Sequence, residues 1–296
     1  MNKIFDDPDC WFAGTAKKTK RSRSAAGVPS ITFRRKTYNP RKTTLNAIKA
    51  VNKKLPQVVV KISGSSKGAD KAQAHATYIG RNGQVELEDQ DGNKYTGSEQ
   101  KKVLEAWKAQ GMHDKHDSGA RREAFHFVFS MPNGTNPEAM KQAVKNLVKE
   151  EFDGHQYFLA QHLDTDSPHC HVLLNATNAK GERLNPRKQD LHNYRVAFVN
   201  KLAEQGIEAT ATRRIHQFKY QDNVKQGRLH GYTRNGKNFE QRQPTAEQMK
   251  KIKATHKNIV EQYKTYANSL PADQLQLKNE IKKLVDTHTK ERSRGR

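Results

Sequence analysis

The chain has 296 residues, 33% of them hydrophobic, and carries 54 Lys and Arg against 31 Asp and Glu, a formal net charge of +23. That apolar fraction, set against roughly 45–50% in average globular chains, excludes a single compact domain with an ordinary surface, and the sign of the charge points to a polyanionic partner. No apolar run approaches the roughly 18–20 residues of a membrane span, the start MNKIFDDPDCWFAG lacks the apolar stretch of a secretory signal, and Cys10 and Cys170 have no CxxC partner, so the expectation is a cytoplasmic chain with two reduced thiols and no membrane insertion.

The charge is unevenly spread. Residues 1–56 hold 14 Lys and Arg against three acids, residues 57–210 hold 20 of each, and residues 211–296 hold 20 against eight. Two basic arms therefore flank a neutral middle. The first arm contains KKTKRSRS and little apolar periodicity, so residues 1–45 are expected to be disordered in isolation, with a short helix around Leu45 to Lys54. In the middle, Val58 to Ile62 is a β-branched strand, broken by Gly64-Ser65-Ser66-Lys67-Gly68. Ala69 to Tyr78 suits a helix, Gly80 to Tyr95 is turn-rich and acidic, and Glu99 to Gln110 is a helix that Gly111 stops. Phe125 to Ser130 alternates as a strand and Met131-Pro132-Asn133-Gly134 ends it. Asn136 caps a helix that runs to Glu151, with Pro at its first position. Tyr157 to Asp164 and His169 to Ala176 read as strands, Asp190 to Gln205 as a helix with apolar Leu191, Tyr194, Phe198 and Leu202, and Ile207 to Thr212 as a last edge strand. Past a polar, glycine-punctuated stretch to Gln243, Thr245 opens a helix to about Ser269, and a second follows Pro271 from Asp273 to Lys290. Each has only a narrow apolar stripe and must bury it against something or extend into solvent.

The chemistry concentrates in HLDTDSPHCHVLLN, residues 162–175. Side chains alternate along a strand, so His169, His171 and Asn175 share one face while Cys170, Val172 and Leu174 point into a core. Thr165 to Pro168 reads as a four-residue hairpin loop, which sets Asp164 opposite His169 and His162 opposite His171, with opposed Cβ atoms about 4.5–5.5 Å apart. Three imidazoles then converge within reach of one metal ion, and Asp164 is placed to orient one of them through its second nitrogen. Three protein ligands leave positions open, as a catalytic metal needs. The basic flanks make a scissile phosphate the natural target. If a side chain attacks, Tyr78 stands out: it ends a predicted helix beside Gly80-Arg81-Asn82-Gly83, where Arg81 is placed to bind a phosphate oxygen. Taken alone, Tyr78 reads better as a helix-end packing residue.

These residues resemble a known family. HLDTDSPHCHVLLN matches the HxDxxxxHxHxxxN signature of conjugative relaxases in the HUH endonuclease superfamily, HATYIGRNGQVELED resembles the nucleophile motif of the MOBP branch, which includes the border endonuclease of T-DNA transfer, and FHFVFSMPNGT resembles its intervening motif. The resemblance implies an α+β fold, a central antiparallel sheet flanked by helices, over residues 57–215, with 1–56 as a basic N-terminal arm and 216–296 as a basic helical extension. It implies that Tyr78 attacks a phosphodiester of single-stranded DNA at a plasmid origin of transfer, leaving a 5′-phosphotyrosyl link and a 3′-hydroxyl, and that the reverse reaction rejoins the strand. His162, His169 and His171 would hold Mg²⁺ or Mn²⁺, Asp164 would orient a ligand or help take the tyrosine proton, and Arg81, Ser130 and Asn175 would be secondary contacts. His126 falls in the intervening motif with its role open. Duplex DNA on the basic arms, a relaxosome accessory protein, a coupling protein and type IV secretion machinery are the implied partners, in a bacterial cytoplasm from which the protein travels with the DNA. Two other readings stay open: a rolling-circle replication initiator, whose nucleophile would be Tyr194, and a non-enzymatic nucleic-acid-binding protein with a structural metal.

Overall fold

The computed structural model describes residues 40–109, 121–165, 167–212, 217–218 and 243–293. The expectations for the arm before residue 40, for Cys10, for Gly111 and for the polar stretch to Gln243 fall largely or wholly outside them. The described residues divide into two units, one within residues 55–211 and a second formed by those within residues 40–54 and 212–293.

The first unit is an open six-stranded sheet. Its strands are β1 (Val59–Ser66), β2 (Leu87–Asp89), β3 (Lys94–Tyr95), β4 (Ala124–Ser130), β5 (His155–His162) and β6 (His169–Asn178). They run in the order β1-β4-β6-β5-β2-β3, every pair antiparallel. Four helices belong to this unit: α2 (Ala69–Ile79), α3 (Glu99–Ala109), α4 (Pro137–Glu151) and α5 (Lys188–Glu204). This is the α+β architecture expected from the sequence.

Strand alternation sorts the sheet into two faces. Phe125, Phe127 and Phe129 of β4 and Cys170, Val172 and Leu174 of β6 form one core with Met140, Val144 and Leu147 of α4 and Tyr194, Phe198 and Leu202 of α5. Each large apolar side chain buried there contributes about 1.5–3 kcal/mol. Helix α4 starts where the chain offers a cap: Asn136 Oδ1 accepts from Ala139 N–H at 3.1 Å, with Pro137 at the first position. The opposite face carries Ala124, Phe158, Ala160 and Leu173 and is covered by Ala69, Ala72, Ala76 and Ile79 of α2 and Trp107 of α3. The small alanines let α2 lie close on the sheet. His162 of β5 and His169 and His171 of β6, two-residue steps from Ala160 and Leu173, belong to this second face.

Three local expectations change. Strand β1 runs through Gly64, Ser65 and Ser66, which pair with His126, Phe125 and Ala124 across a register shift at Ile62/Gly64; the bulge leaves Ser63 out of the ladder, and the break falls at Gly68. Gly80 to Tyr95 holds β2 and β3, too short to leave a periodic signal. Ile207 to Thr212 makes only a single parallel bridge, Gln57 to Thr210, because only Thr210 exchanges ladder hydrogen bonds, with Pro56 and Val58.

The second unit joins α1 (Pro40–Asn52) to α6 (Ala246–Ser269) and α7 (Leu275–Ser293). The narrow stripes of α6 and α7 meet each other and Ile48 of α1 in a core that includes Ile259, Tyr263, Leu277, Ile281 and Leu284. Asn52 Nδ2 of α1 donates to the Glu280 carbonyl oxygen at 3.0 Å and to its carboxylate at 2.7 Å. Thr245 and Gln248 form a reciprocal capping box that starts α6.

Candidate active site

Strands β5 and β6 form a hairpin in which His162 pairs with His169 and Ala160 with His171. The connection runs from Leu163 to Pro168, six residues rather than four, so Asp164 does not oppose His169 and His162 does not oppose His171. The difference from the expected register is two residues. An even slip keeps every side chain on its face, and the imidazoles still meet: ring centroids lie 4.6 Å apart for His162 and His171, 5.1 Å for His169 and His171, and 5.2 Å for His162 and His169. One ligand nitrogen from each lies within 4.8 Å of the others. Bonds of about 2.0–2.1 Å to a shared metal would bring them to about 3–3.5 Å, a movement on the scale of small rotamer adjustments.

Hydrogen bonds select the nitrogen each ring offers, because a carbonyl oxygen only accepts. His162 Nε2–H donates to the Ile79 carbonyl oxygen at 2.6 Å, which leaves the lone pair on Nδ1. His169 Nδ1–H donates to the Ser167 carbonyl oxygen at 3.1 Å, which leaves it on Nε2. His171 Nδ1 is buried with no hydrogen-bond partner among the described residues. Burial, reinforced by the neighbouring histidines, pushes the His171 ring down to about 3, and burial also lowers His162. These two rings are neutral near pH 7, as ligands must be. The donor set fits a divalent cation.

The carboxylate role expected of Asp164 is filled differently. Since β5 ends at His162, Asp164 lies in the exposed loop and forms an ion pair with Arg81 Nη2 at 2.7 Å. The carbonyls of Ile79 and Ser167 orient the histidines in its place. Arg81 Nη2 also lies 3.4 Å from His162 Nδ1, and its guanidinium sits 5.6 Å from the Tyr78 ring centre. The turn beyond α2 aims it there: Arg81, Asn82 and Gly83 all adopt positive φ, at 49°, 55° and 93°. At Gly83 a Cβ would approach Gly97 Cα to 2.7 Å, so no side chain fits. Left-handed Arg81 and Asn82 are strained conformations of the kind retained at functional sites.

Tyr78 closes the arrangement. Its side chain is 59% exposed, while the next residue, Ile79, is fully buried in the α2–sheet core. The last turn of α2 thus anchors one side chain, gives its carbonyl to His162 and leaves a phenol in solvent.

Of the secondary residues, Ser130 is the cross-strand partner of His169 and sits beside the cluster. Asn175 lies four residues along β6 from His171, about 13 Å at strand spacing, and its Oδ1 accepts from Thr177 N–H; the structure does not bring it to the histidines. His126 is not part of the cluster either. Its ring lies flat on His75, a residue sequence reasoning passed over although it stands one helical turn before Tyr78.

Burial lowers His75 and His155 and, together with the charge of His75, lowers His126 to about 4. The sign follows: below the ordinary imidazole value of 6.5 the unfolded chain takes up protons that the folded chain refuses, so stability falls with pH. Metal-free protein should melt at progressively lower temperature between about pH 6.5 and pH 4, followed by circular dichroism. A Tm constant over that range would contradict the burial of these rings.

Residues 78–207 match the family described as Relaxase: MobA/VirD2-like, nuclease domain. The chain is 25% identical over 140 residues to the T-DNA border endonuclease VirD2 of Rhizobium radiobacter, a match covering 42% of this chain and 33% of that protein; it spans about a third of the relative's length. A solved structure described as "Molecular Basis of Vancomycin Resistance Transfer in Staphylococcus aureus" aligns with a TM-score of 0.36 and 13% identity over 54% of this chain and 99% of that one.

Proposed function

We propose that this MobA/VirD2-like relaxase domain, matched over residues 78–207, nicks one DNA strand at a plasmid origin of transfer through Tyr78 and later rejoins it during conjugative mobilisation. The observation that carries the reading is the joining of an exposed tyrosine to a three-histidine cluster through one turn of chain: Ile79 bonds His162, and Arg81 links His162, Asp164 and the Tyr78 ring. The Tyr78 oxygen attacks phosphorus and loses its proton. The P–O3′ bond breaks, the departing 3′-oxygen takes up a proton, and a 5′-phosphotyrosyl link remains. One phosphodiester is exchanged for another, so the step runs back without ATP. Arg81 holds a phosphate oxygen and Asp164 holds Arg81. His162, His169 and His171 are the residues that would bind Mg²⁺ or Mn²⁺, which would neutralise charge on the scissile phosphate.

The test is incubation with single strands tiled across the replicon that encodes the chain, with Mn²⁺, followed by peptide mapping of any covalent product. An adduct on the peptide containing Tyr78 supports the reading, and an adduct on Tyr194 favours a rolling-circle initiator. Nicking without an adduct, or metal binding without nicking, opposes it.

The neutral balance of residues 57–210 against the basic flanks assigns the phosphate-backbone affinity to the flanks. A fragment spanning 57–215 should keep cleavage but bind DNA more weakly and with a shallower dependence on salt, measured by fluorescence anisotropy in a salt series. Equal affinity in the fragment would refute that division. Among the described residues no helix is long and apolar enough to cross a membrane. Action in a bacterial cytoplasm, export with the DNA, duplex contacts by the arms, and partnership with an accessory protein, a coupling protein and type IV secretion machinery belong to the same proposal and rest on the family.

A further inference from the structure

His126 and His75 sit beside the proposed site, belong to no cluster of potential metal ligands among the described residues and take no part in the chemistry above. Their rings are stacked with centres 3.5 Å apart and planes 5° apart. His126 is held on two further sides. Its Nε2 lies 2.8 Å from Oγ of the buried Ser66. Gly64, its partner across the β1–β4 ladder, occupies a position where a Cβ would come within 3.1 Å of Nδ1. A glycine inside a strand, at a bulge, clears the space that this ring fills. On its other side the stack continues to the nucleophile: His75 stands one helical turn before Tyr78, and those rings lie 6.0 Å apart at 27°. Packing alone does not call for this composition. An aliphatic pair would fill the volume without burying imidazoles, and His75 Nε2 is left buried without a hydrogen-bond partner among the described residues.

We infer that Gly64, Ser66, His126 and His75 form a positioning device that fixes the Tyr78 ring in its attacking orientation. The inference rests on the reading of Tyr78 as nucleophile. Ser66 and Gly64 fix His126, His126 fixes the face of His75, and His75 limits where the last turn of α2 can place the phenol. Misplacing a reacting group by about 1 Å can slow a reaction about a hundredfold, which makes such a device worth its buried polar atoms.

The experiment measures the single-turnover rate of the covalent protein–DNA adduct on the tiled single strands with Mn²⁺, in the full chain. His75→Ala and Gly64→Ala should slow adduct formation by about ten- to a hundredfold, with the half-saturating strand and Mn²⁺ concentrations unchanged. His75→Phe, which keeps a flat ring on His126, should recover most of the rate, while His75→Gln, polar but without a ring, should not. His75→Ala at the wild-type rate, or His75→Phe as slow as His75→Ala, overturns the inference while leaving the nucleophile assignment intact. Absence of adduct in the wild-type chain, or an adduct that survives Tyr78→Phe, overturns the nucleophile reading and the inference with it.

Discussion

Tyr78→Phe should abolish the covalent protein–DNA product, a loss on the order of 10⁴-fold or more as for other deleted nucleophiles, while Tyr194→Phe should leave its yield unchanged. The two tyrosines differ in everything a nucleophile needs. Tyr78 is 59% exposed at the end of α2 and lies under the Arg81 guanidinium. Tyr194 has no exposed surface. Its ring packs against Phe152 at 5.1 Å and edge-on to Phe127 at 5.7 Å, on the α4–α5 face of the sheet, away from the histidine face. Burial raises its phenol well above the ordinary range, the wrong direction for a group that must give up a proton. A rolling-circle initiator would need the reverse assignment. Labelled strands resolved on denaturing gels read both variants directly, and an adduct lost in Tyr194→Phe but kept in Tyr78→Phe would sink the relaxase reading. Because Tyr78→Phe removes only an exposed hydroxyl, its unfolding free energy should change by no more than about 0.5 kcal/mol, so that loss of product cannot be assigned to unfolding.

What the sequence disclosed depended on the range of the interaction involved. Strand β4, helix α4 and the buried face of β6 announce themselves through local pattern: alternation in Phe125, Phe127 and Phe129, a cap at Asn136, and apolar Cys170, Val172 and Leu174. The face shared by His162, His169 and His171 was legible because a period of two is insensitive to an even error in register. The register itself was not. It depends on where β5 ends, and just beyond that end Asp164 pairs with Arg81, a contact across 83 positions that no local rule contains. The placement of Asp164 opposite His169 failed with it. The second unit was hidden for the same reason. The sparse stripes of α6 and α7 signalled a missing partner, but Asn52 and Glu280, hydrogen-bonded in the structure, stand 228 positions apart. His75 carried a readable signal in its i, i+3 spacing from Tyr78. Its meaning required knowing that β4 places His126 against it.

Removal of the divalent ion, or of one of its ligands, should have the second large effect. With chelator, or in His171→Ala, cleavage should fall by about 10²–10⁴-fold, the range in which charge neutralisation at a reacting phosphate is worth several kcal/mol. His171 is the sharper choice among the three. Its ring centre lies 4.6 Å from that of His162 and 5.1 Å from that of His169, its Nδ1 has no hydrogen-bond partner among the described residues, and its low proton affinity keeps the lone pair available. His169 is held by the Ser167 carbonyl oxygen and His162 by that of Ile79, so those two rings keep their orientation when the third is removed. Binding must also appear as stability: an ion at a hundred times its dissociation constant adds about 2.7 kcal/mol to the folded state, a Tm rise of several degrees that chelator reverses. His171→Ala should lose both the rise and the cleavage. A structural metal would instead stabilise the fold without supporting strand cleavage in any variant, and cleavage that persists in chelator would remove the ion from the reaction altogether. The pairing of readouts matters, because the same three imidazoles accept zinc as readily as manganese, and only the ion that restores cleavage to the stripped protein identifies the one the site uses.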